Sequence, residues 1–469
     1  VKIRFGTSGW RALISEDFTF DNVRLLSQAI ANYLKKNNKT KGIIAGYDVR
    51  FLSEDFAKEA GKVIASNGID VFYPKSATPT PVVSFNVLNK DLSGAIIISA
   101  SHNPPEYNGY KFSTESGAPS TKEITSEIEK ELSKISESDV KLDEEKAAKR
   151  IKEFDASTCY FKHLNKILDT ESMKKHKMKV AVDCMNGIVT GYLDRFLEDL
   201  GYDLKVLNKE RDPTFGGRSP DPLPENLEEL ISIVKDENFD LGLSVDGDAD
   251  RFGVVDREGE FIFPNQLISL VFYYLANTRK GYSKVARSVS TTHLIDKIAA
   301  DYGLEVEETP IGFKYIGRLL ATGEYIMGAE ESGGLSIGGH TPEKDGILSD
   351  LLIVELLSYY KKPLKEIFND IYEKYGTFYN KRINIKVDRS KQKKIMKELI
   401  KSPPERIADS KIVTVNTLDG YKYIMDNGDW LMFRASGTEP VIRCYFESSN
   451  EEKFKIIEKE ATEMINSIS

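Results

Sequence analysis

The sequence predicts an α/β protein of three related units, with parallel or mixed sheets, followed by a C-terminal α+β unit. Three observations predict it. A strand–helix–glycine–strand pattern occurs three times. An unusual polar loop follows each copy at the matching point. After about residue 375 the pattern changes to consecutive strands that end in one amphipathic helix.

The first copy is "GIIAGYDVRFLSEDFAKEAGKVIASNGIDVFYP" from Gly42, the second "KVAVDCMNGIVTGYLDRFLEDLGYDLKVL" from Lys179, and the third "KVARSVSTTHLIDKIAADYGLEVEE" from Lys284. Each opens with a short β-branched or apolar run. Apolar residues then recur at helical spacing, as in Leu193, Phe196, Leu197 and Leu200. Gly68, Gly201 and Gly303 stand where a left-handed residue closes a helix. A second extended run and a Pro-containing turn follow, then another helical stretch and another apolar strand. Those last strands end at "SASHNP", "SVDGDADR" and "GAEESGG". In parallel sheets ligands bind beyond the carboxyl ends of the strands, so the three loops are candidate site loops. In the last part, "KRINIKV", "KIVTVNTLDGYKYIMD" and "DWLMFRASGTEPVIRCYFES" read as strands and "NEEKFKIIEKEATEMINSI" as a helix.

Length and composition agree with this division. At ~100–200 residues per domain, 469 residues make three or four domains. We place them at 1–150, 151–256, 257–374 and 375–469, with the charged stretch Ser136–Arg150 as a solvated linker and Asp256–Gly259 as the turn that opens the third unit. A net charge of −8 argues against nucleic-acid binding. No apolar run approaches the ~20 residues of a membrane span, and the N-terminal residues do not read as a signal peptide. Cys159, Cys184 and Cys444 match no metal or redox spacing, so reduced thiols in the cytoplasm are expected.

The loops carry the chemistry. Asp246, Asp248 and Asp250 alternate just past the apolar run Leu241–Val245. Three carboxylates that close repel unless a cation joins them, and hard oxygen ligands suit Mg²⁺. Ser101 lies in a loop stiffened by Asn103, Pro104 and Pro105, with no Gly-x-Ser-x-Gly pattern of a hydrolase. Adjacent side chains diverge on an extended segment, so His102 fits a supporting hydrogen bond better than direct proton abstraction. A serine beside a Mg²⁺ site suggests phosphoryl chemistry; as a phosphoserine it would complete the metal's shell. "RASGTEP" gathers Arg434, Ser436, Gly437 and Thr438, a phosphate cradle by composition, with Arg443 a short strand away. Glu330 and Ser332 can bond sugar hydroxyls, and Lys344 can shuttle a proton if burial or neighbours depress its pKa. Arg11, after the Gly-rich turn of "FGTSGWRA", is a candidate phosphate contact.

Together "SASHNP", "DGDADR", "EESGG" and "RASGTEP", in that order over essentially the whole chain, resemble the α-D-phosphohexomutase family of phosphoglucomutases and phosphomannomutases. The resemblance implies four domains in a heart-shaped monomer around a central cleft, working as a monomer or weak homodimer. It implies that Ser101 is the phosphorylated serine and that Asp246, Asp248 and Asp250 are the Mg²⁺ ligands. Arg251 would contact the reaction centre, and Arg11, His102 and Lys111 would assist transfer. Glu330, Ser332 and Lys314, in "PIGFKYIG", would contact the sugar. Arg434, Ser436, Gly437, Thr438 and Arg443 would grip the non-reacting phosphate. The implied reaction interconverts hexose 1-phosphate and hexose 6-phosphate through a hexose 1,6-bisphosphate, which also acts as activator.

One departure bears on the substrate. Phosphomannomutases of dual specificity commonly carry histidine where this chain has Gly334, and "HTPEKDG" is closer to phosphoglucomutases. Glucose phosphates are therefore favoured, with mannose or glucosamine phosphates as alternatives. Ala249 stands where glycine is frequent, a small change. A sugar phosphatase would not need the second anion clamp, and a non-catalytic sensor would not need the serine.

Overall fold

In the computed structural model, residues 3–5, 9–437 and 440–468 are described; Thr438 of the expected cradle therefore lies outside the described residues. The first unit contributes β1 (Trp10–Leu13), β2 (Ile43–Tyr47), β3 (Val71–Pro74), β4 (Gly94–Ile98), β5 (Tyr107–Thr114) and β6 (Ile151–Phe154), ordered β1-β5-β4-β2-β3-β6 in space. The second contributes β7 (Lys179–Asp183), β8 (Asp203–Leu207), β9 (Leu241–Val245), β10 (Phe252–Asp256) and β11 (Phe261–Ile262), ordered β11-β10-β9-β7-β8. The third contributes β12 (Lys284–Ser288), β13 (Glu305–Thr309), β14 (Tyr325–Ala329) and β15 (Leu335–Ile337), ordered β13-β12-β14-β15.

The threefold repeat is thus a repeat of topology. The order β5-β4-β2-β3 recurs as β10-β9-β7-β8 and as β15-β14-β12-β13. In each case the first three strands in sequence pair in parallel and the fourth turns back antiparallel: Ile98 faces Tyr110, Val245 faces Phe252, and Ala329 faces Leu335. The parallel strands are joined by helices such as Ser53–Ser66 and Thr80–Asn89 in the first unit. β2, β4, β9 and β14 are buried along their whole length, because crossover helices cover both faces of a parallel sheet. Gly68, Gly201 and Gly303 have φ of +90°, +80° and +66° at the helix ends, where a side chain would be strained.

Two boundaries shift. β6, expected to open the second unit, pairs in parallel with β3 from Val71↔Ile151 to Pro74↔Phe154 and so completes the first sheet. β11, expected in the third unit, pairs with β10 across the Asp256–Gly259 turn and stays with the second. Both are short edge strands, and a periodic pattern does not say which sheet an edge strand joins.

The fourth unit is an antiparallel sheet of β16 (Tyr379–Lys386), β17 (Arg406–Ile407), β18 (Ser410–Asn416), β19 (Tyr421–Met425), β20 (Trp430–Ala435) and β21 (Val441–Ser448), ordered β16-β21-β20-β19-β18-β17. Helix Glu451–Ile468 packs Ile457, Ala461 and Ile465 on it. One apolar core runs through the first three units, taking in Leu26, Ile96, Val182, Leu243, Leu270 and Leu351. The fourth unit has its own core around Ile395, Phe433, Phe446 and Ile457. Among the described residues no helix is long and apolar enough to cross a membrane.

Candidate active site

The polar loops are the hairpin turns β4–β5, β9–β10 and β14–β15, at the carboxyl ends of equivalent strands. A cavity of about 210 Å³ is lined by Lys111 from the first unit, Asp250 and Arg251 from the second, Lys314, Glu330, Ser332, Glu343 and Lys344 from the third, and Arg382, Arg434, Arg443 and Tyr445 from the fourth. One cleft therefore collects side chains from all four units.

Behind Asp250, which lines the cavity, the serine loop meets the acidic loop. Ser101 Oγ donates to Asp246 Oδ2 at 2.6 Å. Its φ is +53°, a left-handed conformation that costs a non-glycine residue about 1 kcal/mol or more. That conformation also explains His102. On an extended segment the two side chains would diverge; here His102 Nδ1 lies 3.3 Å from Ser101 Oγ. The charge of Arg251, followed by burial, holds His102 well below the usual imidazole range, so the ring is neutral. Arg11 Nη1 donates to Asn103 Oδ1 at 2.5 Å and so reaches the same loop.

Ligand oxygens of Asp246, Asp248 and Asp250 lie within 4.8 Å of one another, and all three residues are buried. Asp246 Oδ1 accepts from the backbone of Asp250 at 2.8 Å and Arg251 at 3.1 Å, which curls the loop about its first carboxylate. Gly247 allows this: a Cβ there would stand 2.6 Å from the Ser101 carbonyl. Burial, joined by the charges of Asp250 and Asp248, pushes Asp246 up to about 8. Burial also opposes ionisation of Asp248 and Asp250. Lys111 outweighs it at Asp248, and Lys344 with Lys111 outweighs it at Asp250; both fall below the ordinary range. Lys111 Nζ is 2.5 Å from Asp248 Oδ2, and Lys344 Nζ is 2.6 Å from Asp250 Oδ2. Asp248 Oδ1 and Asp250 Oδ1 are buried with no hydrogen-bond partner. Partnerless buried carboxylate oxygens in an oxygen-only donor set fit a hard divalent cation such as Mg²⁺.

The condition attached to Lys344, a depressed pKa, is not met. Burial would lower its amine, but Asp250 and Glu343 more than offset that, and it is held above the usual lysine range. The amine therefore stays charged. Gly334 makes room for it: a Cβ at 334 would lie 2.5 Å from Lys344 Cδ. Glu330, raised by burial, accepts from Gly312 N at 2.7 Å through Oε1. Burial lowers Lys314, which lines the cleft beside it.

In the fourth unit Arg434 Nε bonds Asp419 Oδ1 at 3.0 Å, and Arg443 lines the cavity with it. Ser436 is buried and its backbone N donates to Val441 O at 3.1 Å, while the Gly437 carbonyl accepts from Arg389 at 3.3 Å. Neither Ser436 nor Gly437 is among the residues lining the cavity. Several site residues escaped sequence reasoning. Thr80 donates its hydroxyl to Asp248 Oδ2 from the N-terminus of a crossover helix. Arg382 reaches the cleft from β16 and pairs with Glu331 at 3.4 Å. Glu343, beside Lys344, is pushed by burial up to about 7. Only the fold brings these scattered positions together; the cue for Glu343 was its place in "HTPEKDG".

Comparison with known proteins gives a consistent answer. Residues 2–139, 158–259 and 263–375 match the alpha/beta/alpha domains I, II and III of the phosphoglucomutase/phosphomannomutase family, and residues 383–464 match its C-terminal domain. The chain is 30% identical over 450 residues to a phosphoglucomutase/phosphomannomutase of Thermococcus kodakarensis, covering 96% of this chain and 95% of that protein. It is 30% identical over 449 residues to a phosphoglucosamine/phosphogalactosamine mutase of Sulfurisphaera tokodaii, covering 95% of each. Among solved structures, a candidate phosphomannomutase of Thermus thermophilus superposes with a TM-score of 0.85 at 30% identity, covering 99% of each chain.

Proposed function

Since the chain belongs to the phosphoglucomutase/phosphomannomutase family of phosphohexomutases, we propose that it interconverts hexose 1-phosphate and hexose 6-phosphate, glucose phosphates foremost, through a phosphorylated Ser101. The observation that carries this reading is a serine hydroxyl bonded to an acidic triad whose Asp250 lines the same cleft as Arg434 and Arg443.

In the forward step a free sugar hydroxyl attacks the phosphorus on Ser101. The bond from phosphorus to Ser101 Oγ breaks as the new bond forms, and the proton of the sugar hydroxyl ends on Ser101 Oγ, the leaving oxygen. The product is a hexose 1,6-bisphosphate. It turns over in the cleft, and its other phosphoryl group returns to Ser101. The departing sugar oxygen then takes a proton that Lys344, charged beside Asp250, is placed to give, and the proton released by the Ser101 hydroxyl as it attacks restores Lys344. Asp246, Asp248 and Asp250, with an oxygen of the phosphorylated serine, would hold Mg²⁺, which supplies positive charge against the phosphoryl oxygens. Arg11, Lys111, neutral His102 and Arg251 orient and neutralise the transferring group. Glu330, Ser332 and Lys314 hold the sugar; Arg434 and Arg443 grip whichever phosphate is at rest. The bisphosphate also restores unphosphorylated Ser101, which makes it an activator. One chain supplies the whole cleft, in keeping with a working monomer or a weak homodimer, and three unpaired cysteines suit the cytoplasm.

Glucose preference rests on Lys344 filling the space a side chain at 334 would take. Amino-sugar phosphates are the second reading, favoured by the Sulfurisphaera tokodaii relative. Parallel kcat/KM values for glucose, mannose and glucosamine 1-phosphates decide: the reading requires glucose 1-phosphate to lead, and a tenfold lead for either rival reverses it.

A further inference from the structure

The serine loop is held by a residue with no part in the reading above. Arg50 follows β2 in "GYDVRF", and its side chain is wholly buried. Its Nη2 donates to the carbonyls of Ser101 and Asn103, each at 2.6 Å. Its Nη1 donates to the carbonyls of Pro104 at 2.7 Å and Tyr107 at 3.0 Å. Four carbonyls of one loop thus converge on one guanidinium. Asp48 fixes the plane of that group: Oδ2 takes Arg50 Nε at 3.2 Å, and Oδ1 takes Arg50 N at 3.0 Å and Ser53 Oγ at 2.7 Å.

The other face of the guanidinium crosses into the second unit, where the Phe215 ring centroid lies 4.8 Å from Arg50 Cζ. Phe215 is fully buried and begins the short segment that runs to Pro220. That segment touches both loops of the site. Ser219 Oγ donates to the His102 carbonyl at 2.8 Å, and the Pro220 carbonyl accepts from Gly247 N of the acidic loop at 2.9 Å. Arg50 therefore bonds the loop that carries the serine and stacks on the segment that braces the aspartates.

We propose that Arg50, stacked on Phe215, is a positioning residue that sets the serine loop in register with the acidic loop across the seam between the first two units. The proposal rests on Ser101 being the phosphoryl carrier. A planar fork is required, because four carbonyls cannot be met in that geometry by the single ammonium of lysine. The strained left-handed Ser101 persists because the surrounding bonds over-determine it.

The test uses the full-length enzyme with Mg²⁺ and glucose 1-phosphate. Arg50→Lys keeps the charge and loses the fork; a loop displaced by about 1 Å predicts a kcat loss of about 100-fold with KM within about threefold of wild type. Phe215→Leu leaves every Arg50 hydrogen bond in place and predicts a kcat loss of about tenfold, again at unchanged KM. A merely structural role would lower Tm, with kcat returning to the wild-type value once the assay temperature is well below that Tm; that recovery overturns the proposal, as does an Arg50→Lys kcat within threefold of wild type. If Arg50→Lys does not fold, Phe215→Leu decides alone, and wild-type kcat in it overturns the proposal. Wild-type enzyme is analysed in parallel by mass spectrometry: an active enzyme with no phosphate on Ser101 after exposure to glucose 1,6-bisphosphate defeats the serine reading itself, a result distinct from failure of the clamp.

Discussion

The two ends of the cleft are built differently. At the end proposed for phosphoryl transfer, charged groups from three units are buried, tightly paired and set on one shared apolar core. At the end proposed to grip the resting phosphate, Arg434 and Arg382 are partly exposed on a unit with its own core. The seam between that unit and the third combines a small apolar cluster, Val289 with Trp430, Met432 and Tyr445, with a buried charge. Lys422 is fully buried there, with Nζ 2.7 Å from the Val289 carbonyl, 2.8 Å from His293 Nε2 and 3.2 Å from Glu308 Oε2, and it lies 4.2 Å from the Trp430 ring centroid. Burial, then Arg287, pushes its amine down to about 8. A large shared core fixes geometry, whereas a seam with only a small apolar cluster relies more on a few directional contacts. Phosphoryl transfer needs fixed geometry, and a clamp that accepts the substrate in two orientations does not. The division of labour follows the division of cores.

The contrast is broken hardest at the reacting end. Ser101→Ala removes the acceptor oxygen, and we expect a kcat loss of at least about 10⁴-fold, with the phosphate mass increment gone from the protein. Turnover at more than a hundredth of wild type in that variant would refute the covalent route. Asp248→Asn removes one charge from the triad and loosens Lys111. It predicts a loss of about 10²–10³-fold in kcat, a weaker response to added Mg²⁺, and little change in KM for glucose 1-phosphate.

At the gripping end the effect moves to KM. A charge-assisted contact is worth about 1.5–3 kcal/mol, so Arg434→Ala should lower kcat/KM by about 10- to 150-fold, chiefly through KM. A pure kcat loss would place Arg434 in the chemistry instead. Lys422→Met tests the seam. It leaves Glu308 short of a partner and should raise KM by about tenfold or less with kcat retained, while Tm falls, since breaking a buried pair costs about 3–5 kcal/mol. An unchanged KM would show that the seam does not set the clamp's position.

The same contrast governs what could be read from the chain. The repeat was legible because each unit needs an apolar strand, a helix and a glycine at helical spacing; Gly68, Gly201 and Gly303 carry that signal in full. The triad was legible because its ligands are consecutive alternating residues. Boundaries at 150/151 and 256/257 left edge strands β6 and β11 on the wrong side, since their partners are chosen by tertiary contacts. Arg50, Thr80 and Arg382 were invisible for a related reason: each acts on residues at least 51 positions away, at Ser101, Asp248 and Glu331. The charge state of Lys344 stayed open in the sequence because burial and ion pairing oppose each other, and only the 2.6 Å contact with Asp250 shows which prevails.

The smallest expected effect lies within the shared core itself. Asp350 is on helix Gly346–Tyr360, fully buried, and neither carboxylate oxygen has a hydrogen-bond partner. Burial alone drives its pKa well above the usual value, so the folded protein keeps it protonated at pH values where the unfolded chain has ionised. The sign follows from proton counts: above the unfolded pKa of about 4, the folded state binds more protons than the unfolded state. Stability therefore falls as pH rises from about 4 towards the folded pKa. Asp350→Asn keeps the shape and removes the ionisation. It should match wild type near pH 4, exceed it by about 1 kcal/mol or more near neutral pH, and leave kcat and KM unchanged. Denaturant melts of both proteins across pH 4–8 measure the gap. A gap that stays constant with pH, or that favours wild type more as pH rises, would mean that the carboxylate is charged and partnered in the fold, and that the core of the first three units is less uniformly apolar than its contacts imply.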